Sequence, residues 1–329
     1  MDSPGVLPWW AEGTAGHEYP PKPGGREAAG HDSGTPTADR RRGGGSRLIE
    51  YQYAQMVARV MTPIKGSRRI AVISRKGGVG RTTTALMLGH TLASWRRGGV
   101  VALDCDTDAG DLGYRIGREH GVTLTDLVED APSLRGYEDL RSYTSRAPSG
   151  LEVVAADDPR IIRPSGEEEY ASAIQLLGEY YDLILLDTGT GTFDSATQVI
   201  LGMVDQVIIV TTPGLDGARG AGLTIDWLGQ NGAHPLVRSA IAVVNRHQEG
   251  TPASAEERCK HACRATVTVP YDPHLEAGAQ SELSQLKQAT RDAYLQLAAA
   301  VAGCFTQRCD RASGRAGSAG SVTAETAQR

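Results

Sequence analysis

The chain has 329 residues, 40% of them hydrophobic, with 34 basic and 39 acidic side chains and a formal charge of −5. That length accommodates one large α/β domain or two small ones, and the mild acidity argues against wholesale nucleic-acid binding while leaving room for a local basic patch. No apolar run reaches the roughly 20 residues of a membrane span, the start MDSPGVLPWW lacks the basic n-region and apolar core of a secretory signal, and five cysteines in no extracellular framework are expected as reduced thiols in a cytoplasm.

Residues 1–46 are rich in Gly, Pro, Ser, Thr and charge and read as a disordered tail, as do residues 304–329. Residues 47–66 read as an amphipathic helix and linker. RLIEYQYAQMVARVM places Leu48, Ile49, Tyr53, Met56, Val57 and Val60 near one helical face. Such a stripe packs on a domain or meets a membrane surface or partner; only Arg47 and Arg59 are available for anionic lipid.

Residues 67–303 carry the folded domain. Apolar, strand-like runs fall at 70–74, 100–104, 151–155, 182–187, 205–210, 239–244 and 265–269, with helical patterns at 82–95, 167–180, 194–203, 215–230, 254–262 and 281–302. The alternation predicts an α/β fold with a mainly parallel central sheet of about seven strands, covered by helices on both faces. Strands that are apolar throughout, rather than alternating, fit burial on both faces. Ligands of such sheets bind beyond the carboxyl ends of the strands.

Three stretches at predicted strand ends carry chemistry. In AVISRKGGVGRTTTALMLGH a strand enters a glycine turn and a helix follows. Gly77, Gly78 and Gly80 let backbone N–H groups converge on an anion, and the helix from Arg81 adds the positive end of its dipole. Thr82 is placed to offer a hydroxyl to Mg²⁺ and Thr83 to a phosphate. In VVALDCDTDAGDLG, Asp104 ends a strand and Asp106 and Asp108 follow. Carboxylates there suit Mg²⁺ or the orientation of an attacking water, although capping of a loop or helix explains aspartates equally, Asp108 and Asp111 above all. In YYDLILLDTGTGTFDS, Asp187 closes a buried strand. A carboxylate at that place needs a partner, either a metal reached through water or a backbone cap. Gly191 is placed to offer its N–H to a γ-phosphate and to move when that phosphate leaves.

KGGVGRTTT, LDCDTDAGDLG and YDLILLDTGTG together resemble the MinD/ParA branch of P-loop ATPases, the deviant Walker A group, over about residues 68–302. The resemblance implies a P-loop NTPase three-layer sandwich that binds ATP and Mg²⁺ and forms a homodimer on ATP binding. It makes Lys76 the signature lysine that reaches the partner's phosphates, and Gly77, Gly78, Val79, Gly80, Arg81, Thr82 and Thr83 the phosphate cradle. Asp104 supports the metal, Asp106 positions the attacking water, and Asp187 is the Walker B carboxylate that holds Mg²⁺ with Thr82. Asn245 and Arg246 of IAVVNR and the loop from Pro270 would flank the adenine. The chain departs from the family at Arg81, where the family has the P-loop lysine. Arginine is wide and forked where lysine is compact, so the expectation is ATP-dependent dimerisation with slow hydrolysis. The work of such proteins is positional: chromosome or plasmid partitioning, or placement of a division site. A scaffold that does not hydrolyse, and an accessory regulator of a type VII-like secretion system, are the alternatives. DNA binding would use the dimer surface. The C-terminal residues carry no apolar stripe for a membrane-targeting helix.

CKHAC spaces Cys259 and Cys263 by four, with no second pair to complete a metal site. Asp216, Arg219 and Asp226 read as a solvated helix face, or as part of the dimer and partner surface that relatives build there. His90 and His234 read as packing or surface residues.

Overall fold

The computed structural model describes residues 43–96, 99–106, 110–117, 121–157, 166–189, 194–278, 280 and 282–306. Residues 1–42 and 307–329, Asp108 and Gly191 lie outside them. Eight strands run in chain order: β1 Arg68–Ile73, β2 Val100–Cys105, β3 Ser145–Arg146, β4 Glu152–Val154, β5 Leu183–Thr188, β6 Gln206–Thr211, β7 Ile241–His247 and β8 Ala265–Pro270. They form one sheet in the order β3-β4-β2-β5-β1-β6-β7-β8. Every pairing is parallel except β3 with β4. β3, the strand beyond the seven predicted, is a two-residue antiparallel edge.

The helices are α1 Gly43–Val60, α2 Arg81–Arg96, α3 Leu112–Arg115, α4 Leu124–Asp130, α5 Tyr137–Arg141, α6 Glu167–Tyr180, α7 Ser195–Met203, α8 Gly214–Gln230, α9 His234–Ser239, α10 Ser254–Ala262, α11 Pro273–Glu276 and α12 Gln288–Ala302. Two apolar cores result, one on each face of the sheet. Ile70, Val72, Val100, Ala102, Leu183 and Leu185 meet α2 and α12 on one side. Their strand neighbours Ala71, Ile73, Val101, Leu103, Ile184 and Leu186 meet α4, α6 and α7 on the other. Strands β2, β5 and β6 are buried at every residue, which is why they read as unbroken apolar runs.

The predicted helix over 281–302 divides. A 3-10 turn occupies Leu283–Gln285, Leu286 and Lys287 are extended, and α12 starts at Gln288. The buried carboxylate of Asp272 causes the break: its Oδ2 accepts the Lys287 N–H at 2.9 Å and its Oδ1 the His274 N–H at 3.1 Å. The short helices α3, α4, α5, α9 and α11 add to those the periodicity predicts.

α1 begins at Gly43 and packs on the first core through Tyr53, Met56, Val57 and the fully buried Val60. Ile49, assigned by its spacing to that face, is instead 68% exposed. The Tyr53 and Trp95 rings meet edge-on at 6.4 Å, and the Arg96 Nη1 donates to the Val60 and Thr62 carbonyls at 2.8 Å each. Cys304 and Phe305 are buried as well, with Phe305 under the Arg96 guanidinium at 5.4 Å.

Candidate nucleotide site

Parallel order puts the carboxyl ends of β1, β2 and β5 side by side, with Val72 beside Asp187 and Asp104 beside Asp187 in the ladder. The chain leaves β1 through Ser74–Gly80 and enters α2 at Arg81. Gly78 and Gly80 take φ of +70° and +95°, a region that side chains disfavour. Gly80 also has no room for one: a Cβ there would lie 2.2 Å from the Asn245 Nδ2.

A cleft of about 360 Å³ opens over this loop. Gly78, Val79, Gly80, Arg81, Thr82 and Thr83 form one wall, Asp106, Asp111 and Arg115 a second, and Arg246, Leu275, Glu276 and Gly278 a third. The sequence places Asp106 and Arg246 here together with the loop. Leu275, Glu276 and Gly278 belong to the loop from Pro270 expected beside the base, although the sequence singles out none of them; Arg115, which has no local signature, is missed, and Asp111 is read as a cap.

Other expected residues stand beside or beneath the cleft. Asp104 is buried, and its carboxylate is engaged by main chain: Oδ1 accepts the Asp106 N–H at 3.2 Å and Oδ2 the Leu112 N–H at 3.1 Å. Burial, and then the adjacent Asp187, hold its pKa well above the usual carboxylate range. Asp187 is pushed up to about 7 by burial, against the Thr82 hydroxyl and the Arg81 charge, which draw it down. Its Oδ1 is buried without a hydrogen-bond partner. Asn245 turns its amide to the loop, donating to the Val79 carbonyl at 2.9 Å. Pro270 closes β8 opposite His247 and does not line the cleft.

Arg81 is 6% exposed. Its Nη1 donates to the Ser74 carbonyl at 3.0 Å, while its Nε has no partner. Burial lowers its pKa, opposed by Asp187 and Asp106. Lys76 does not line the cleft; it forms an ion pair with Asp216 at the start of α8. Arg246, with φ of +62°, is the non-glycine residue of positive φ among those described, and its Nε meets the Glu276 Oε2 at 3.3 Å within the cleft lining. Among the described residues no cluster of three or more His, Cys, Asp or Glu suits a metal ion, Cys259 and Cys263 included. No described helix is long and apolar enough to cross a membrane.

A parallel sheet whose central strand runs through a glycine loop into a helix, beside two carboxylate-tipped strands, defines a P-loop α/β domain. Residues 67–228 match a family model described as an AAA domain. The ESX-1 secretion-associated protein EspI of Mycobacterium tuberculosis is 34% identical over 255 residues, covering 75% of this chain and 38% of EspI; the chain thus spans well under half of that relative. A ParA family ATPase from Chlorobium tepidum superposes with a TM-score of 0.60 at 22% identity, covering 70% of this chain and 98% of that one. The septum site-determining protein MinD of Pyrococcus horikoshii, complexed with Mg-ADP, superposes with a TM-score of 0.58 at 20% identity, over 73% and 99% of the two chains. The chain belongs to the MinD/ParA-like group of P-loop proteins.

Proposed function

We propose that the chain binds Mg²⁺ and ATP in the cleft and that the nucleotide switches it into a homodimer, with slow hydrolysis returning it to the monomer. The observation that carries this reading is the Asp187 Oδ1, buried and unpartnered beside the Thr82 hydroxyl, at the foot of a loop in which Gly78 and Gly80 are left-handed. A buried carboxylate oxygen without a partner is costly, and a divalent cation that keeps its waters is the partner such an oxygen accommodates. Thr82 and Asp187 would hold Mg²⁺, which supplies charge neutralisation for the phosphates. The backbone of Gly78–Thr83 would cradle those phosphates, and Asp106 would orient the attacking water. Asp104 acts behind the site, fixing the loop that carries Asp106. Arg246 flanks the far end, where a base would lie.

Arg81 supports slow turnover. Its guanidinium is largely buried and bonds to the Ser74 carbonyl, and misplacement of a charge at a phosphoryl-transfer site costs up to about 10²-fold in rate. Titration of the protein with ATP in the presence and absence of Mg²⁺ tests the reading. Binding that needs Mg²⁺ and is lost in Asp187→Ala is expected; equal affinity without the metal contradicts it.

Intracellular positioning is the first reading of its work, supported by the likeness to septum site-determining MinD proteins. A second reading, an accessory of a type VII-like secretion system, is favoured by the 34% identity to EspI. Deletion of the gene separates the two: a secretion defect with normal placement of loci and septa supports the second, and misplacement with normal secretion the first.

A further inference from the structure

We infer that Arg115 binds the phosphates of the ligand, adding a cation to a cleft whose loop arginine is held by the Ser74 carbonyl; this rests on the nucleotide reading above. Arg81 is spent on the Ser74 carbonyl and faces Asp187, and Lys76 is turned to Asp216. Arg115, at the end of α3, is a further cation of the cleft lining. Its Nη1 donates to the Thr83 Oγ1 at 3.1 Å, which sets the guanidinium against the first turn of α2. Its Nε and Nη2 meet the Asp111 Oδ2 at 2.8 and 2.7 Å.

Its position is built rather than incidental. The Asp104 carboxylate ties Leu112, the first residue of α3, to the end of β2. Gly110 lets the chain pass: a Cβ there would fall 2.5 Å from both the Asp104 Oδ2 and the Ala156 Cβ. The buried Leu112 anchors the same turn in the core. A guanidinium has five N–H donors in a planar fork that matches a phosphate group, and the contacts to Thr83 and Asp111 engage three of them. Asp111 is 44% exposed, so the pair that holds Arg115 is cheap to exchange for a polyanion. Asp111 is then a counter-ion that competes with the ligand.

That competition gives opposite signs for two substitutions. Full-length wild type, Arg115→Ala, Arg115→Lys and Asp111→Asn are titrated with fluorescent ATP in Mg²⁺, with thermal melts alongside. Arg115→Ala is expected to weaken binding by about tenfold, the scale of one charge-assisted contact. Arg115→Lys should fall between it and wild type. Asp111→Asn should tighten binding by about threefold, because the arginine no longer has a competing carboxylate. If the pair merely braces α3, Asp111→Asn weakens binding as Arg115→Ala does, and the inference is overturned. Wild type that binds ATP while Arg115→Ala binds within twofold of it also overturns the inference and leaves the nucleotide reading standing. Wild type that binds no nucleotide overturns both. Should Arg115→Ala fail to fold, the sign of the Asp111→Asn effect decides alone.

Discussion

Lys76 and Asp216 form an ion pair within one chain, joining the phosphate loop to the first turn of α8. The family resemblance implies that this lysine serves the partner's nucleotide, so dimerisation has to break the pair. Both side chains are substantially exposed, at 35% and 79%, and a pair of that kind contributes only about 0–1 kcal/mol to stability. It can therefore set the monomer–dimer balance without holding the fold together. Asp216→Asn should raise the dimer fraction at a given ATP concentration severalfold, Lys76→Ala should abolish the dimer, and neither should move Tm by more than about 2 °C. Light scattering coupled to gel filtration checks this; an unchanged dimer fraction in Asp216→Asn would remove the pair from the switch.

Gly80→Ala should be severe. The added methyl meets the Asn245 amide at 2.2 Å and the residue sits at φ of +95°. Strain of both kinds costs about 1–3 kcal/mol each. Nucleotide binding should be lost before global folding, read by ATP titration beside a urea melt, because the loop distorts more readily than the sheet beneath it.

Arg81→Lys should leave ATP affinity within a few fold and raise turnover. The smaller ammonium retains the charge and vacates the contact with the Ser74 carbonyl. Steady-state phosphate release measures it. Unchanged turnover would mean that the loop is adapted to arginine.

His90 supplies a pH dependence unrelated to the site. It is buried in α2, with Nδ1 2.7 Å from the Ser149 Oγ and Nε2 unpartnered, and burial pushes its pKa down to about 4. The unfolded chain, with an ordinary imidazole, binds the extra proton first as pH falls below about 6.5. The stabilisation is thus complete above about pH 6.5 and is lost progressively towards pH 4. By pH 5 the loss from this residue is about 2 kcal/mol. Urea melts at pH 7.5 and pH 5 should show a drop that shrinks by that amount in His90→Asn.

Arg96 joins the N-terminal helix to the domain through the Val60 and Thr62 carbonyls and the Phe305 ring. Arg96→Ala should cost about 2–4 kcal/mol locally and speed amide exchange across Gly43–Val60, with the sheet unaffected. Equal exchange in the two proteins would show that Tyr53, Met56 and Val57 suffice to hold α1.

Much of this architecture is written in local sequence. A buried parallel strand needs a contiguous apolar run, so seven of the strands are legible. Ser145–Arg146 is too short to carry a pattern and exists because β4 offers an edge. α12 begins late for a reason remote in sequence, since Asp272 captures the Lys287 N–H from 15 residues away. The phosphate loop is legible because its glycines, threonines and flanking elements are contiguous. Arg115 reaches the same cleft only through the turn after β2 that the Asp104 carboxylate fixes, and no spacing announces it. Asp104 was readable as a strand-end carboxylate, but its engagement by the Asp106 and Leu112 amides follows from a fold of the loop that composition does not specify.

The most direct measurement is sedimentation of the full-length protein with Mg²⁺ and ATP, with Mg²⁺ and ADP, and with ATP in EDTA. The account expects a dimer in the first condition and a monomer in the other two. A single species in all three, with no nucleotide bound, would contradict it.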